Sequence, residues 1–195
     1  MRLLYCILYV AGIGIASHYL GNALPRAWFA PERFPYKSWK WEKDGQIYKA
    51  IGIQTWKDKV PDMSKLCPDM VRKEVAGRPT AESTWRLIQE SCVAEFVHFA
   101  LMIASLFVLR IWPGLWGWVA YALCILGNFP FMLIQRYNRP RLFLRRSRAF
   151  TSIFATQILR PGASGHAPPL PSHAGRFFLP TGAAYKKKAP LLGLF

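Results

Sequence analysis

The sequence predicts an all-α integral membrane protein with about three transmembrane helices, an interfacial aromatic and basic segment, and a disordered C-terminal tail. Hydrophobic residues make up 52% of the 195 residues and stand in three blocks, a distribution typical of membrane spans and not of an amphipathic soluble fold. Lys and Arg number 26 against 10 Asp and Glu. Much of this positive charge follows the last apolar block, as it does in the cytoplasmic flanks of membrane proteins.

The first apolar block, residues 3–20, is long enough to cross the hydrocarbon core of a bilayer as a helix. Its residues would rise about 27 Å at 1.5 Å per residue. A cleaved signal peptide is the alternative, because Arg2 precedes the block and small residues stand near its end. The length of the block and the lack of a clear A-x-A site favour a retained helix. We therefore assign residues 1–22 to an N-terminal transmembrane helix or signal anchor.

Residues 23–91 are predicted to form an interfacial or cytoplasmic segment, in which aromatic side chains alternate with Lys and Arg. An ordinary soluble loop would explain the prolines of this segment. Trp at this density beside cations is more typical of anchoring at the level of the lipid headgroups. The aromatic residues of this pattern are Trp28, Trp39, Trp41, Tyr48 and Trp56.

Two further helices are predicted to form a helical hairpin in the membrane over residues 92–142. Thr80 is the expected N-cap of the first, which continues through residue 109 and has its membrane part at 92–109. The second covers residues 115–134, and the short connection makes the two helices antiparallel. Pro130 removes one backbone hydrogen bond and is expected to loosen the second helix beside Asn128.

The charge distribution predicts a multi-pass orientation in a bacterial cell membrane. From residue 135 to the end there are 11 cations and no acid, so the positive-inside rule puts the C-terminus in the cytoplasm. The segment 23–91, with 13 cations and 9 acids, is then on the same side, and the N-terminus lies outside. Residues 151–195 are rich in Pro, Gly, Ala and Ser and are predicted to be a disordered basic tail.

The second predicted helix carries a polar stripe that includes two ionisable residues, Glu95 and His98. Spacings of three, four and seven place the stripe on one helix face, which we expect to look inward. A carboxylate three residues before a histidine can fix the imidazole tautomer, so that the free nitrogen accepts a proton from an alcohol. Alternatively, Glu95 is neutralised by an Arg or His and only holds the helices together. The stripe consists of Ser91, Glu95, His98, Met102 and Ser105.

A face of small and polar residues on the third predicted helix is expected to pack against another helix. A backbone loosened by Pro130 would expose a site next to Asn128. A simple packing seam with a tolerated proline explains the same residues equally well. The face consists of Gly117, Tyr121, Cys124, Asn128 and Gln135.

The heptapeptide QRYNRPR, residues 135–141, follows the third apolar block directly. The guanidinium groups of Arg136, Arg139 and Arg141 would make a fork-shaped site for phosphates or a carboxylate. A plain positively charged flank explains the charge as well, but it does not require Tyr137 and Asn138 between the arginines. We therefore predict a specific role for this motif.

Four stretches of the chain resemble the glycosyl-4,4'-diaponeurosporenoate acyltransferase family in sequence, order and spacing. They are WEKDGQIY at 41–48, WKDKVPD at 56–62, ESCVAEFVH at 90–98 and NFPFMLIQRYNRPRL at 128–142. The resemblance covers residues 39–142, and QRYNRPR is its most specific part. Val93 stands where the family has a basic residue, and Phe99 stands where it has a tryptophan.

The resemblance implies a membrane O-acyltransferase. The family esterifies a fatty acyl group to a sugar hydroxyl of a glycosylated C30 carotenoid in staphyloxanthin-type biosynthesis, so the substrate would be such a carotenoid or a similar glycolipid. The matching catalytic pattern falls on Glu90, Glu95 and His98. We expect His98 to be the general base, Glu95 to orient it, and three arginines to clamp the phosphates of the donor. The implied substrate-binding residues are Asn128, Gln135, Arg136, Tyr137, Asn138, Arg139 and Arg141.

No bound cofactor and no metal are expected. The four cysteines form no CxxC pair, and one His with one or two carboxylates offers too few ligands for zinc. The acyl donor would be acyl-CoA or acyl carrier protein as a co-substrate. Because no Ser or Cys stands in an evident nucleophile motif, direct transfer is the simpler mechanism. The expected partners are membrane lipids, the glycolipid substrate and other carotenoid-synthesis enzymes.

A non-catalytic membrane scaffold whose basic end binds anionic lipids or partner enzymes is the alternative function. This function depends on charge and not on residue identity. Replacing Arg136, Arg139 and Arg141 together by Lys should then be tolerated, whereas a bidentate phosphate clamp should lose its function. Nucleic-acid binding is not expected, because the cations flank apolar spans and the tail lacks a known binding motif.

Overall fold

The computed structural model describes residues 1–60 and 80–158, with residues 152–158 described by their backbone alone. Within these ranges the chain forms helices, turns and connecting loops and no strand. Residues 151–158, the beginning of the predicted disordered tail at 151–195, are helical, and the rest of that tail lies outside the described residues. The six α-helices of the described ranges are α1 (Arg2–Ala23), α2 (Ile47–Ala50), α3 (Ile53–Trp56), α4 (Ala81–Ala104), α5 (Val108–Ile111) and α6 (Leu115–Ile158).

Within the described residues, three helical stretches are long and apolar enough to cross a membrane: Arg2–Ala23, Ala81–Ile111 and Leu115–Thr151. The predicted fold class, an all-α protein with three membrane helices, is confirmed. The surface of α1 is typical of a helix in lipid, because large apolar side chains such as Leu4 and Ile15 are exposed along it.

The three long helices alternate in direction. The hydroxyl of Tyr9, near the start of α1, donates to the carbonyl oxygen of Ala104 at the end of α4, at 2.8 Å. At the opposite end, a Cβ on Gly21 would lie 3.3 Å from the side chain of Val97. Helix α1 is therefore antiparallel to α4. The beginning of α1 and the connection between α5 and α6 lie at one end of the helices, which we call the turn end.

The hairpin between α4 and α6 begins at the predicted Thr80, but its first α-helix ends at Ala104 and not at residue 109. Thr80 caps α4 by accepting a hydrogen bond from the backbone N–H of Ser83 at 3.1 Å. After Ala104 a 3₁₀ turn, Ser105–Phe107, leads into α5. The connection to α6 contains Gly114 with a φ of +93°, a conformation that side chains with a Cβ disfavour.

Helix α6 is much longer than the predicted helix over residues 115–134. It runs for 44 residues through Pro130 and Pro140 to Ile158, a length of about 66 Å. The end of the apolar run marks the edge of the hydrocarbon core, but it does not end the helix. Beyond that edge, arginines of α6 are bonded to α4 and to the 24–60 segment, and these bonds, together with the burial of Tyr137, stabilise the helical continuation.

The segment between α1 and residue 60 folds against the end of the helices opposite the turn end. It consists of short 3₁₀ turns, including Lys40–Glu42, and of α2 and α3. Tyr48 and Ile53 pack against Ile134 and Tyr137 of α6. Exposed aromatic rings stand on this segment, with Trp28 exposed to 72%, which fits the predicted interfacial character.

Candidate active site

A buried cluster of charged residues lies where α6 leaves the apolar span. We call Glu42, Glu95, Arg136 and Arg139 the arginine–glutamate cluster. Arg136 donates to Glu95 Oε1 from Nη1 at 2.6 Å and to Glu42 Oε2 from Nη2 at 3.0 Å. Arg139 donates to Glu95 Oε2 from Nη2 at 2.5 Å. Leu115 and Arg136 are separated by about 32 Å of helix, close to the thickness of the hydrocarbon core.

Backbone carbonyls complete the coordination of both guanidinium groups. Arg139 donates to the carbonyl oxygen of Tyr36 at 2.6 Å and to the hydroxyl and carbonyl oxygens of Ser91 at 3.0 and 3.2 Å. Arg136 donates to the carbonyl oxygen of Pro35 at 3.1 Å. Arg139 is only 3% exposed. The guanidinium groups of these two arginines therefore donate to groups of the protein itself. They do not form the free phosphate clamp that the sequence suggested.

Arg141, the third arginine of the predicted clamp, contacts a residue of its own helix, Tyr137. Its Nη1 donates to the carbonyl oxygen of Tyr137, and its guanidinium carbon lies 3.3 Å from the centroid of the Tyr137 ring. Tyr137 itself is buried. Gln135 and Asn138, two other predicted binding residues, are half-buried on α6. The heptapeptide QRYNRPR thus has a clear structural role at this end of the helices.

Glu42 belongs to this cluster, although the sequence did not single it out. It accepts hydrogen bonds from the hydroxyl of Tyr48 and from the backbone N–H of Trp39, the latter at 2.7 Å. Burial opposes ionisation of Glu42, but the bonds from Arg136, Tyr48 and Trp39 outweigh it and lower the pKa of this carboxyl. Burial, together with the bonded Glu42 carboxylate, raises the pKa of Tyr48.

The only signal for Glu42 in the sequence was its position within WEKDGQIY, one of the family-like stretches.

Glu90 forms a separate ion pair that ties α1 to α4. Its two carboxylate oxygens accept from Nε and Nη2 of Arg26 at 2.9 and 3.0 Å. Arg26 also donates to the carbonyl oxygens of Gly21 and Leu24 at the end of α1. Glu90, a predicted catalytic residue, therefore lies at the junction of α1 and α4. It precedes His98 by eight residues of α4 and is bonded to Arg26 instead.

His98 is paired with Asn128 across the hairpin. Nδ1 of His98 lies 3.0 Å from Oδ1 of Asn128, and the imidazole stacks on the ring of Phe131 with centroids 4.7 Å apart. Nδ2 of Asn128 donates to the carbonyl oxygen of Cys124 at 2.9 Å, so Oδ1 faces the imidazole. A neutral His98 then carries its proton on Nδ1, and Nε2 is the nitrogen that can accept a proton.

The predicted hydrogen bond between Glu95 and His98 is not formed. Both carboxylate oxygens of Glu95 accept from arginines, and Nδ1 of His98 is bonded to Asn128. The physical reason is that two guanidinium groups offer Glu95 charge-assisted bonds, which a neutral imidazole cannot match. Of the two roles considered for Glu95, the contacts correspond to that of a neutralised carboxylate that holds the helices together.

Two adjoining apolar cavities begin at Asn128 and follow the hairpin toward the turn end. Each has a volume of about 400 Å³, and Val10, Leu123 and Cys124 line both. Asn128 and Ser105 are polar groups at the wall of the first cavity. The second cavity is lined by apolar residues and cysteines and reaches Leu3. We call these two cavities together the groove.

Comparison with known proteins relates this architecture to a family. A family model described as glycosyl-4,4'-diaponeurosporenoate acyltransferase matches residues 25–148, more than half of the chain. The chain belongs to this family. The resemblance found in the sequence is therefore confirmed, and the chain is a member of an acyltransferase family.

Individual relatives of the family come from Staphylococcus aureus. The glycosyl-4,4'-diaponeurosporenoate acyltransferases of strains bovine RF122 / ET3-1, MRSA252 and USA300 are each 26% identical to this chain over 141 residues, which cover 71% of this chain and 84% of the relative. No solved structure matches the chain. The family match includes the arginine–glutamate cluster, His98 and Asn128, and it leaves out α1.

Proposed function

We propose that this family member is a membrane O-acyltransferase that transfers a fatty acyl group from acyl-CoA or acyl carrier protein to a sugar hydroxyl of a glycosylated C30 carotenoid. The names of its relatives support the reaction and the glycosylated acceptor. The observation that carries the proposal within the molecule is the His98–Asn128 pair beside an apolar groove. This arrangement places the imidazole of His98, which can act as a base, at the end of a groove that can hold an apolar chain.

His98 acts as the general base in this proposal. Its Nε2 takes the proton of the sugar hydroxyl while the hydroxyl oxygen attacks the thioester carbonyl carbon of the donor. The new C–O ester bond forms, the C–S bond breaks, and the leaving thiolate takes the proton from His98. Asn128 holds Nδ1–H and thereby keeps Nε2 available. Proton transfer of this kind contributes about 10²–10⁴-fold to a rate.

The phosphates of the donor need a site other than the buried arginines. Lys37, Lys40 and Lys43 are exposed on the segment that covers the arginine–glutamate cluster. We assign the attraction of an anionic donor to these lysines, which act as flexible point charges. In the proposed orientation this end of the helices and the C-terminus face the cytoplasm of a bacterial cell, where acyl-CoA and acyl carrier protein are found.

A non-catalytic scaffold is not favoured by any contact of the described residues. Such a scaffold would present the arginines of QRYNRPR to anionic lipids or partner enzymes. Arg136 and Arg139 instead point into the protein and bind Glu42 and Glu95. The other partners that we propose are membrane lipids and enzymes of carotenoid synthesis.

Mass spectrometry of lipid extracts tests the proposed function. A host that makes the glycosylated C30 carotenoid should accumulate a species heavier by one fatty acyl group when it expresses this chain. His98→Ala should lower that species by at least about a hundredfold at equal protein abundance. His18→Ala is the matched control, because His18 pairs with Asn22 of its own helix and not with Asn128. Unchanged product with His98→Ala would remove this mechanism.

A further inference from the structure

The groove lies between three parts of the chain and is open on one side. Its walls come from α1, from the end of α4 with the following turn, and from α6. Leu3, Ile7 and Leu123 on its rim are 57%, 54% and 63% exposed, so it opens sideways toward the bilayer. Within the described residues its polar groups, Asn128 and Ser105, stand at the first cavity. Asn128 stands at the His98 end of the groove, Ser105 lies further toward the turn end, and the second cavity is lined by apolar residues and cysteines.

We propose that this groove is the binding site of the fatty acyl chain of the donor and that Ala120, at its far end, determines the length of chain it accepts. The inference rests on the proposed function and deepens it. The acyl carbonyl must reach His98 for transfer, so the chain attached to that carbonyl has to extend from the same point. The groove starts at Asn128, the hydrogen-bond partner of His98, and leads away from it.

The dimensions of the groove fit one acyl chain. Along α1 it extends from Gly14 to Leu3, which is about 17 Å at 1.5 Å per residue. The hydrocarbon core is about 30 Å thick, so one leaflet holds chains of about 15 Å. A rigid C30 polyene would need far more of the bilayer than this groove spans. A flexible acyl chain about as long as one leaflet is thick matches both the length and the apolar lining of the groove.

Gly14 lies at the His98 end of the groove, opposite to Ala120 at the far end. It lines the first cavity, and a Cβ built on it would meet no atom within 4 Å. A larger side chain at this position would therefore extend into the open space of the groove without a clash. Gly12, two residues earlier on α1, also has no neighbour within 4 Å of a built Cβ, but it lines neither cavity. The two glycines provide a matched pair of positions.

The test compares the acyl chains of the product formed by the wild type, Gly14→Leu and Gly12→Leu in a host with mixed fatty acids. Gly14→Leu should lower the product of every chain length by about tenfold, because its side chain occupies the start of the groove and crowding by a few methylenes discriminates at this level. Gly12→Leu should keep the wild-type amounts and the wild-type ratio of longest to shortest chains. Ala120→Leu, at the far end of the groove, should remove only the longest chains.

The outcomes separate the inference from the proposed function. If the wild type forms no acylated product, the proposed function fails. If the wild type forms product and Ala120→Leu does not change the chain ratio, the acyl-chain site is wrong while the function stands. An equal loss of every chain length with Ala120→Leu would instead indicate that the polyene occupies the groove. If Ala120→Leu does not accumulate, Ala120→Val decides the question by the same ratio.

Discussion

Asn128 determines which nitrogen of His98 can act as a base. Its amide is fixed by the bond from Nδ2 to the carbonyl oxygen of Cys124, and Oδ1 then accepts from Nδ1 of the imidazole. Such second partners of a histidine set its tautomer and ring orientation. Asn128 is a positioning residue in this mechanism, because it acts through His98.

Substitutions at Asn128 are expected to distinguish two roles of its side chain: the hydrogen bond that sets the His98 tautomer, and packing between the helices. Asn128→Leu keeps the branched shape of the side chain but removes the acceptor, and it should lower kcat by at least about tenfold. Asn128→Asp keeps an acceptor for Nδ1–H and should retain more activity than Asn128→Leu. Acylated product formed per folded molecule, together with the pH dependence of kcat, measures the effect. Equal activity of both variants would show that the hydrogen bond to His98 is not used.

Glu42 is expected to make the stability of the protein sensitive to acid. Its pKa in the folded protein is lower than the ordinary value of 4.5, so its contribution is fully present above pH 4.5 and is lost as the pH falls further. Thermal unfolding in detergent should show a midpoint that decreases as the pH falls below 4.5. Glu42→Gln should be less stable at neutral pH and should show a smaller decrease.

The control for this pH dependence is Glu32→Gln, because Glu32 is exposed. That variant should keep the wild-type profile. A Glu42→Gln profile parallel to that of the wild type would contradict the assigned role of the carboxylate.

The helix elements are joined through the guanidinium groups of α6. Arg136 bonds two carboxylates from different parts of the chain, and Arg139 bonds α4 and the 24–60 segment. Planar guanidinium groups can satisfy several acceptors at fixed angles, whereas an ammonium group cannot. Arg-to-Lys substitutions here therefore disturb the fold whether or not the protein is an enzyme. The triple-Lys test derived from the sequence does not separate a scaffold from a phosphate clamp.

Arg136→Lys is expected to destabilise the protein by about 2 kcal/mol or more, because charge-assisted hydrogen bonds to buried carboxylates are lost. The thermal midpoint in detergent and the amount of folded protein in the membrane should both decrease. Arg148→Lys, at an exposed position on the same helix, is the matched control and should leave both unchanged. Equal midpoints for the two variants would show that the cluster contributes little to stability.

Local patterns of the sequence predicted the elements better than the contacts between them. The apolar runs and the Thr80 cap indicated the three long helices, because hydrophobic length and capping are local properties. The spacing of Glu95 and His98 placed them on one helix stripe, but it could not tell which residues of α6 face that stripe. Those partners, Arg136 and Asn128, depend on the register of the hairpin, and so does the role of Glu42.

At the scale of the whole molecule, the two ends of the helices differ sharply in character. The turn end is apolar and aromatic, with exposed Trp116 and Trp118. The opposite end holds the arginine–glutamate cluster and the exposed lysines. The excess of cations at this end predicts that it faces the cytoplasm. The acyl donor then approaches the exposed lysines and the His98 end of the groove from the cytoplasm, where acyl thioesters are made.

Cysteine labelling on intact cells tests this orientation. Pro113 at the turn end and Lys40 at the opposite end are both exposed. A membrane-impermeant maleimide should label Pro113→Cys on intact cells above the level of the unsubstituted chain, and it should label Lys40→Cys only after permeabilisation. The reverse pattern would put the exposed lysines outside the cell. A cytoplasmic thioester could not reach them there, so the proposed donor would fail even if the transfer site itself were correct.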